Sequence, residues 1–165
     1  MDQLWAPWRL AYVAAAKQPS SGDPCFICQG LAEDNDRANL IVLRTPASVV
    51  LLNRFPYNNG HLLVAPRAHK GGLGDLTPGE LLETMDTLRR MVGLLDGLIR
   101  PDGYNVGLNL GAAAGAGLPG HLHWHVVPRW HGDTNFMPVL ADVKVIVQSL
   151  DALYDLLTAR LKEQC

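Results

Sequence analysis

Apolar residues recur along this chain in two different periods. Leu81, Met85, Leu88, Val92, Leu95 and Ile99 fall at alternating steps of four and three, which is one face of an α-helix. Just before them, Thr77-Pro78-Gly79-Glu80 has capping-box spacing with proline at the first helical position. Pro101-Asp102-Gly103 closes the run. The pattern predicts a long helix from Pro78 to about Ile99. Gly93 and Gly97 each weaken such a helix by about 1 kcal/mol relative to alanine, and a close packing contact would explain them. Leu150, Leu153, Leu157 and Leu161 mark a C-terminal helix within residues 147–165.

Shorter apolar runs at Leu40–Leu43, Val49–Leu52, His61–Ala65, Tyr104–Leu110 and His121–Val127 predict five strands. Asn53-Arg54-Phe55-Pro56-Tyr57-Asn58-Asn59-Gly60 reads as a turn, because proline, asparagine and glycine supply the φ values of a tight reversal. Strands and helices do not alternate as βαβ units. The fold class expected is therefore α+β, with a mainly antiparallel five-stranded sheet, a long helix and a C-terminal helix. A length of 165 residues suits one domain (1–165), whose N-terminal segment (1–36) carries Cys25-Phe26-Ile27-Cys28.

Composition narrows the function classes. Hydrophobic residues make up 48% and charged residues 18%, enough for one core and without a disorder signature. The formal charge of −2 provides no field for a nucleic-acid backbone, so no nucleic-acid partner is expected. The start of the chain lacks a secretion-signal pattern, and no apolar run reaches membrane-spanning length. Three cysteines argue against a disulfide framework. These features point to a cytoplasmic protein away from membranes.

The chemistry concentrates in Gly120-His121-Leu122-His123-Trp124-His125-Val126-Val127-Pro128-Arg129. On a strand, histidines at i, i+2 and i+4 face one side, leaving Leu122, Trp124 and Val126 for the opposite, buried side. Imidazole has a reference pKa of about 6.5, so much of it is neutral and nucleophilic at pH 7. Attack by one ring on an α-phosphorus would give a nucleotidyl-histidine, splitting a hard step into two. A neighbouring histidine can donate to phosphate oxygens or to the leaving group.

This row resembles the His-x-His-x-His-x-x signature of the histidine triad superfamily, whose middle histidine is the nucleophile; here that is His123, with His125 beside it. Asn53-Arg54-Phe55-Pro56 and Gly60-His61-Leu62-Leu63-Val64-Ala65-Pro66 resemble the family's ribose-binding strand and turn, which puts Asn53 at the ribose hydroxyls. Asn105-Val106-Gly107-Leu108-Asn109-Leu110-Gly111 resembles the strand that gives the α-phosphate a polar contact, here Asn109. The likeness runs from about Cys25 to Asn135. Leu4-Trp5-Ala6-Pro7-Trp8-Arg9 and Gly132-Asp133-Thr134-Asn135-Phe136 resemble the bacterial branch related to diadenosine tetraphosphate phosphorylases. Many members carry Gln-Ser or Gln-Thr just before the triad, whereas this chain has Gly117-Leu118-Pro119-Gly120. Phosphate contacts then fall to backbone N–H groups of the glycine-rich loop, Gly117 included, or to His125.

Cys25 and Cys28 have the spacing of two zinc thiolates, and equally of two small buried hydrophobes. The resemblance implies a fuller set. Galactose-1-phosphate uridylyltransferases and zinc-bearing triad proteins combine two such cysteines with a histidine after Pro-x-x and the first triad histidine. Here those are Cys25, Cys28, His69 and His121, a ligand set for a structural Zn²⁺. No organic cofactor is expected, and the resemblance implies a homodimer. His61 is expected to end a turn, His131 to be solvated, and Trp130 and Phe136 to pack in the core.

The expected activity is cleavage of a nucleoside or dinucleoside polyphosphate, with water or inorganic phosphate as acceptor. Two other readings compete. One is a nucleotide-binding or interaction protein with little turnover. The other is a metal-dependent hydrolase ligating metal through all three histidines.

Overall fold

The computed structural model describes residues 25–134 and 145–164. Its elements are α1 (Phe26–Ala32), β1 (Ile41–Arg44), β2 (Ser48–Leu52), β3 (Leu62–Pro66), α2 (Pro78–Ile99), β4 (Gly103–Leu108), β5 (Trp124–Arg129) and α3 (Leu150–Glu163). Short 3₁₀ turns lie at Leu73–Asp75 and Ala112–Ala114. One five-stranded sheet has the order β1-β2-β3-β5-β4, every neighbouring pair antiparallel. The expected α+β architecture is present. No helix among the described residues is long and apolar enough to cross a membrane.

β2 and β3 are buried along their whole length because both sheet faces are covered. Val50, Leu52, Leu62, Val64, Trp124 and Val126 pack against α2 and α3 in the main core. Met91, Leu94 and Leu95 of α2 and Leu153, Leu157 and Leu161 of α3 complete it. Val49, Leu51 and Ala65 point the other way and join Ile27 of α1 in a smaller cluster. The candidate site lies on this second face.

α2 starts and stops where its sequence signals lie. The Thr77 hydroxyl accepts from the Glu80 N–H, and the Glu80 carboxylate accepts in return from the Thr77 N–H at 2.7 Å. A Cβ built on Gly93 or Gly97 would meet nothing within 4 Å, so the close contact expected there is not made among the described residues of this chain.

Several strand limits differ from the apolar runs for backbone reasons. Leu40 has φ of 58°, outside the extended region, so β1 starts at Ile41 although the Leu40 carbonyl still accepts from the Leu52 N–H at 2.9 Å. β2 begins one residue early, at Ser48, which pairs with Pro66, the last residue of β3. His61 closes the preceding turn through its N–H to the Asn58 carbonyl, and β3 starts at Leu62. β4 stops at Leu108, the partner of Trp124, because β5 offers no residue beyond that pair. The predicted strand His121–Val127 is shifted: β5 runs Trp124–Arg129. His121 and His123 lie before it, in a segment whose N–H of Leu122 bonds the Lys70 carbonyl at 2.7 Å rather than a ladder partner. Leu122, Trp124 and Val126 are nonetheless buried, as the alternation requires. The C-terminal helix starts at Leu150 rather than 147, because the Ser149 hydroxyl caps it by accepting from the Ala152 N–H.

The helix α1 had no periodic signal, since only Ile27 and Gly30 of its seven residues are buried. Tertiary contacts hold it. The Arg44 guanidinium of β1 donates to the carbonyls of Gly30 and Leu31 at 2.8 and 2.9 Å, at the helix C-terminal end.

Candidate active site and metal-ligand cluster

The site is laid out along a row of residues that cross the sheet. Leu51 pairs with Leu63, Leu63 with His125, and His125 with Gly107. Residues paired across strands share a face, so Leu51, Leu63 and His125 of this row floor a cleft of about 480 Å³ whose lining also includes Leu40, Asn53, Gly117 and His123. A volume of that size matches small-ligand sites. Past His125 and Tyr57, which line both, lies a second groove of about 400 Å³.

Hydrogen bonds fix which nitrogen of each ring carries a proton. The Nδ1 of His123 lies 2.8 Å from the His121 carbonyl. A carbonyl can only accept, so Nδ1 donates and a neutral ring keeps its lone pair on Nε2. The Tyr57 N–H donates to Nδ1 of His61 at 3.0 Å, which leaves His61 Nε2 as the donor to His125 Nδ1 at 2.9 Å. His125 then carries its proton on Nε2. Burial, and secondarily the proximity of His123, push the His125 pKa down to about 4. A neutral His125 is therefore a donor through Nε2 across the neutral pH range. Its ring stacks on Tyr57 at 5.6 Å and meets His123 edge-on at 5.1 Å.

Asn53 is held from two sides. Its Oδ1 accepts from the Phe55 N–H at 2.9 Å, and its Nδ2 lies 3.3 Å from His61 Nδ1. The turn carrying these residues depends on Gly60, at φ of 77°. A Cβ there would lie 2.7 Å from Ile99 Cδ1 and 3.0 Å from Pro128 Cγ, so both the conformation and the space require glycine.

His121 faces elsewhere. Its Nε2 donates to the Pro66 carbonyl at 2.8 Å, leaving the Nδ1 lone pair 3.2 Å from Cys25 Sγ and 3.5 Å from Cys28 Sγ. His69 Nδ1 lies 3.2 Å from Cys28 Sγ. The four donor atoms all sit within 4.8 Å of one another and could hold a metal ion. Two sulfurs and two imidazole nitrogens are the donor chemistry of a tetrahedral site. Burial lowers the His121 pKa, and burial followed by the neighbouring Cys25 raises that of Cys28 to about 11.

The residues singled out in the sequence thus come together in two groups. Asn53, Gly117, His123 and His125 surround the first cleft, and Cys25, Cys28, His69 and His121 form the cluster behind it. Asn109 lines the second groove instead, its amide reaching the Gly115 carbonyl at 3.5 Å. The expected turn-ending role for His61 understates it: the side chain is 1% exposed and bonded to His125. His131 is 94% exposed at its side chain and paired with Asp102 at 2.9 Å, as a solvated histidine should be. Trp130 donates to the Arg100 carbonyl at 3.2 Å rather than packing in the core, while Phe136 lies outside the described residues.

This fold and this histidine arrangement define a class. Residues 35–132 match the HIT domain family, and the chain belongs to it. It is 41% identical over 154 residues to an AP-4-A phosphorylase of Mycobacterium tuberculosis, covering 91% of this chain and 79% of that one. A bis(5'-nucleosyl)-tetraphosphatase [asymmetrical] of Schizosaccharomyces pombe is 32% identical over 93 residues, covering 56% of this chain and 50% of that one. Among solved structures, a Zn-bound histidine triad family protein of Mycobacterium smegmatis superposes with a TM-score of 0.61 at 24% identity, covering 93% and 94% of the two chains.

Proposed function

We propose that this chain is an enzyme that cleaves dinucleoside polyphosphates such as diadenosine tetraphosphate through a covalent nucleotidyl intermediate on His123. The observation that carries the reading is the 2.8 Å bond from His123 Nδ1 to the His121 carbonyl, which leaves Nε2 as a nucleophile in the cleft. One nucleoside lies over Leu51 and Leu63, its ribose hydroxyls at Asn53. His123 Nε2 attacks the α-phosphorus, forming an N–P bond as the P–O anhydride bond breaks. His125 Nε2–H donates to the phosphate or to the departing oxygen, and backbone N–H groups of the loop at Gly117 face the same phosphate. An acceptor oxygen then attacks the phosphorus, and the N–P bond breaks to restore His123.

The acceptor is inorganic phosphate, in keeping with the named activity of the Mycobacterium tuberculosis relative. With diadenosine tetraphosphate, phosphate as acceptor yields ADP and ATP, whereas water yields AMP and ATP. Product analysis with and without phosphate tests this. ADP formed at the expense of AMP is the expected result, and an AMP product unchanged by phosphate overturns the phosphorylase assignment in favour of hydrolysis. A His123→Ala variant should lose about three orders of magnitude or more in turnover, and near-native activity in it would overturn the nucleophile.

Cys25, Cys28, His69 and His121 would hold a structural Zn²⁺. Bound there, the ion would tie α1 to the segment that carries His123. The orientation of His121 Nδ1 toward the cysteines favours this role over ligation of a catalytic metal by all three histidines. The protein works in the cytoplasm as a homodimer. Support for the dimer comes from β4, the strand at one edge of the sheet, and from the open faces at Gly93 and Gly97.

A further inference from the structure

A dinucleoside polyphosphate has two nucleosides, and the cleft at His123 accommodates one. We infer that the second groove, on the far side of His125, binds the other nucleoside, the one that departs with the leaving polyphosphate. This rests on the reading of the first cleft given above.

Three observations carry it. First, the two depressions adjoin, because Tyr57 and His125 line both. A chain attacked between His123 and His125 therefore has its exit past His125. Second, the floor continues. The row Leu51–Leu63–His125 ends at Gly107 of β4, which pairs with His125 on the same face. Strands lie about 4.8 Å apart, so a ligand following the row from the nucleoside site over His125 next crosses Gly107. A side chain there would stand in its path. Glycine leaves the path open, and a Cβ at that position meets nothing within 4 Å. No folding requirement among the described residues explains the glycine, since it sits inside a strand at ordinary φ, where it weakens the strand.

Third, the groove beyond Gly107 has the surfaces a nucleoside uses. Tyr57 is 52% exposed and offers an aromatic edge and face, and Val127 supplies apolar floor. Asn105 and Asn109 offer amides to a ribose or base edge. Asn105 Oδ1 already accepts from Arg129 Nη1 at 2.8 Å, which leaves its NH₂ group to donate. This composition, with no free cation among its lining residues, suits a nucleoside better than a bare phosphate tail.

The test compares two substrates with the same anhydride chain, diadenosine tetraphosphate and adenosine 5'-tetraphosphate, which lacks the second nucleoside. Wild type, Gly107→Ala and Gly107→Val are assayed for kcat and KM with each, and their melting curves are compared. The expected result is a KM for diadenosine tetraphosphate that rises with side-chain size, about fivefold for Gly107→Val, the low end of what one base-stacking contact contributes. KM for adenosine 5'-tetraphosphate, which lacks the nucleoside held beyond Gly107, should rise clearly less in both variants. Unchanged KM for both substrates overturns the groove while leaving the proposed activity intact. So does an equal loss on both, which would mean that the side chain acts on His125. Wild type turning over neither compound removes the activity on which the groove rests.

Discussion

His61 Nε2 and His125 Nδ1 meet at 2.9 Å although the residues are 64 positions apart. The bond begins at a backbone group, the Tyr57 N–H, and ends by exposing a proton on His125 Nε2. A main-chain donor in a turn thus decides the tautomer of a side chain in the histidine row.

Replacing His61 should therefore impair chemistry through His125. In His61→Phe, His125 loses the donor that holds its Nδ1, and its ring is free to flip or to take the other tautomer. Turnover should fall about 10- to 100-fold, the usual cost of losing such a partner, with little change in KM. The acid limb of the pH–rate profile should also move, because a different environment sets the protonation of His125. A profile of unchanged shape with only a lower melting temperature would indicate a purely structural residue.

Acid should destabilise the protein in two separable stages. Burial holds His125 near a pKa of about 4, against an ordinary histidine value of 6.5. Above pH 6.5 both folded and unfolded chains carry it neutral, and it adds no pH dependence. As pH falls from 6.5 to about 4, the unfolded chain takes up a proton that the folded one refuses, so stability drops. Glu80 acts lower. Its hydrogen bond from Lys70, then those from Thr77, hold its carboxyl at about 2, so its contribution is full above pH 4.5 and is lost as pH falls toward 2. Melting temperatures of wild type and His125→Asn between pH 8 and 4 check the first stage. The variant should show the shallower decline; parallel curves would count against it.

Gly60→Ala should destabilise the fold by about 1–3 kcal/mol. It must adopt φ of 77° and place its Cβ 2.7 Å from Ile99 Cδ1. The turn from Asn53 to His61 should loosen with it, so KM for the nucleotide should rise as well. Urea denaturation and steady-state kinetics would detect both, and a variant as stable as wild type would refute the steric argument.

Protein purified without chelator should contain about one Zn²⁺ per chain. Removing it should lower the melting temperature, with activity declining as the segment around His121 loosens. Serine at Cys28 should reproduce that loss of stability. Elemental analysis finding no metal would remove the ion from the scheme, and activity abolished at once with the fold still intact would favour a catalytic metal.

Much was legible in the chain itself, because the interactions that decide it are local. The helix Pro78–Ile99 follows from apolar spacing and from a capping box that closes within four residues. That Trp124 and Val126 face the core follows from strand alternation. The residue types and spacing of the triad point to the family before any coordinate. Tertiary structure decided the rest. Helix α1 exists because Arg44 binds its last carbonyls and Ile27 finds Ile41, Val49 and Leu51, contacts between segments that no period connects. His121 turns away from the cleft because its carbonyl partner, Pro66, is 55 residues away and fixes which nitrogen faces the cysteines. His61 enters the site because a left-handed glycine turns it toward His125. Periodicity reports which side of an element a residue occupies, whereas proton positions and pKa depend on what lies across the gap. Only the folded chain sets that.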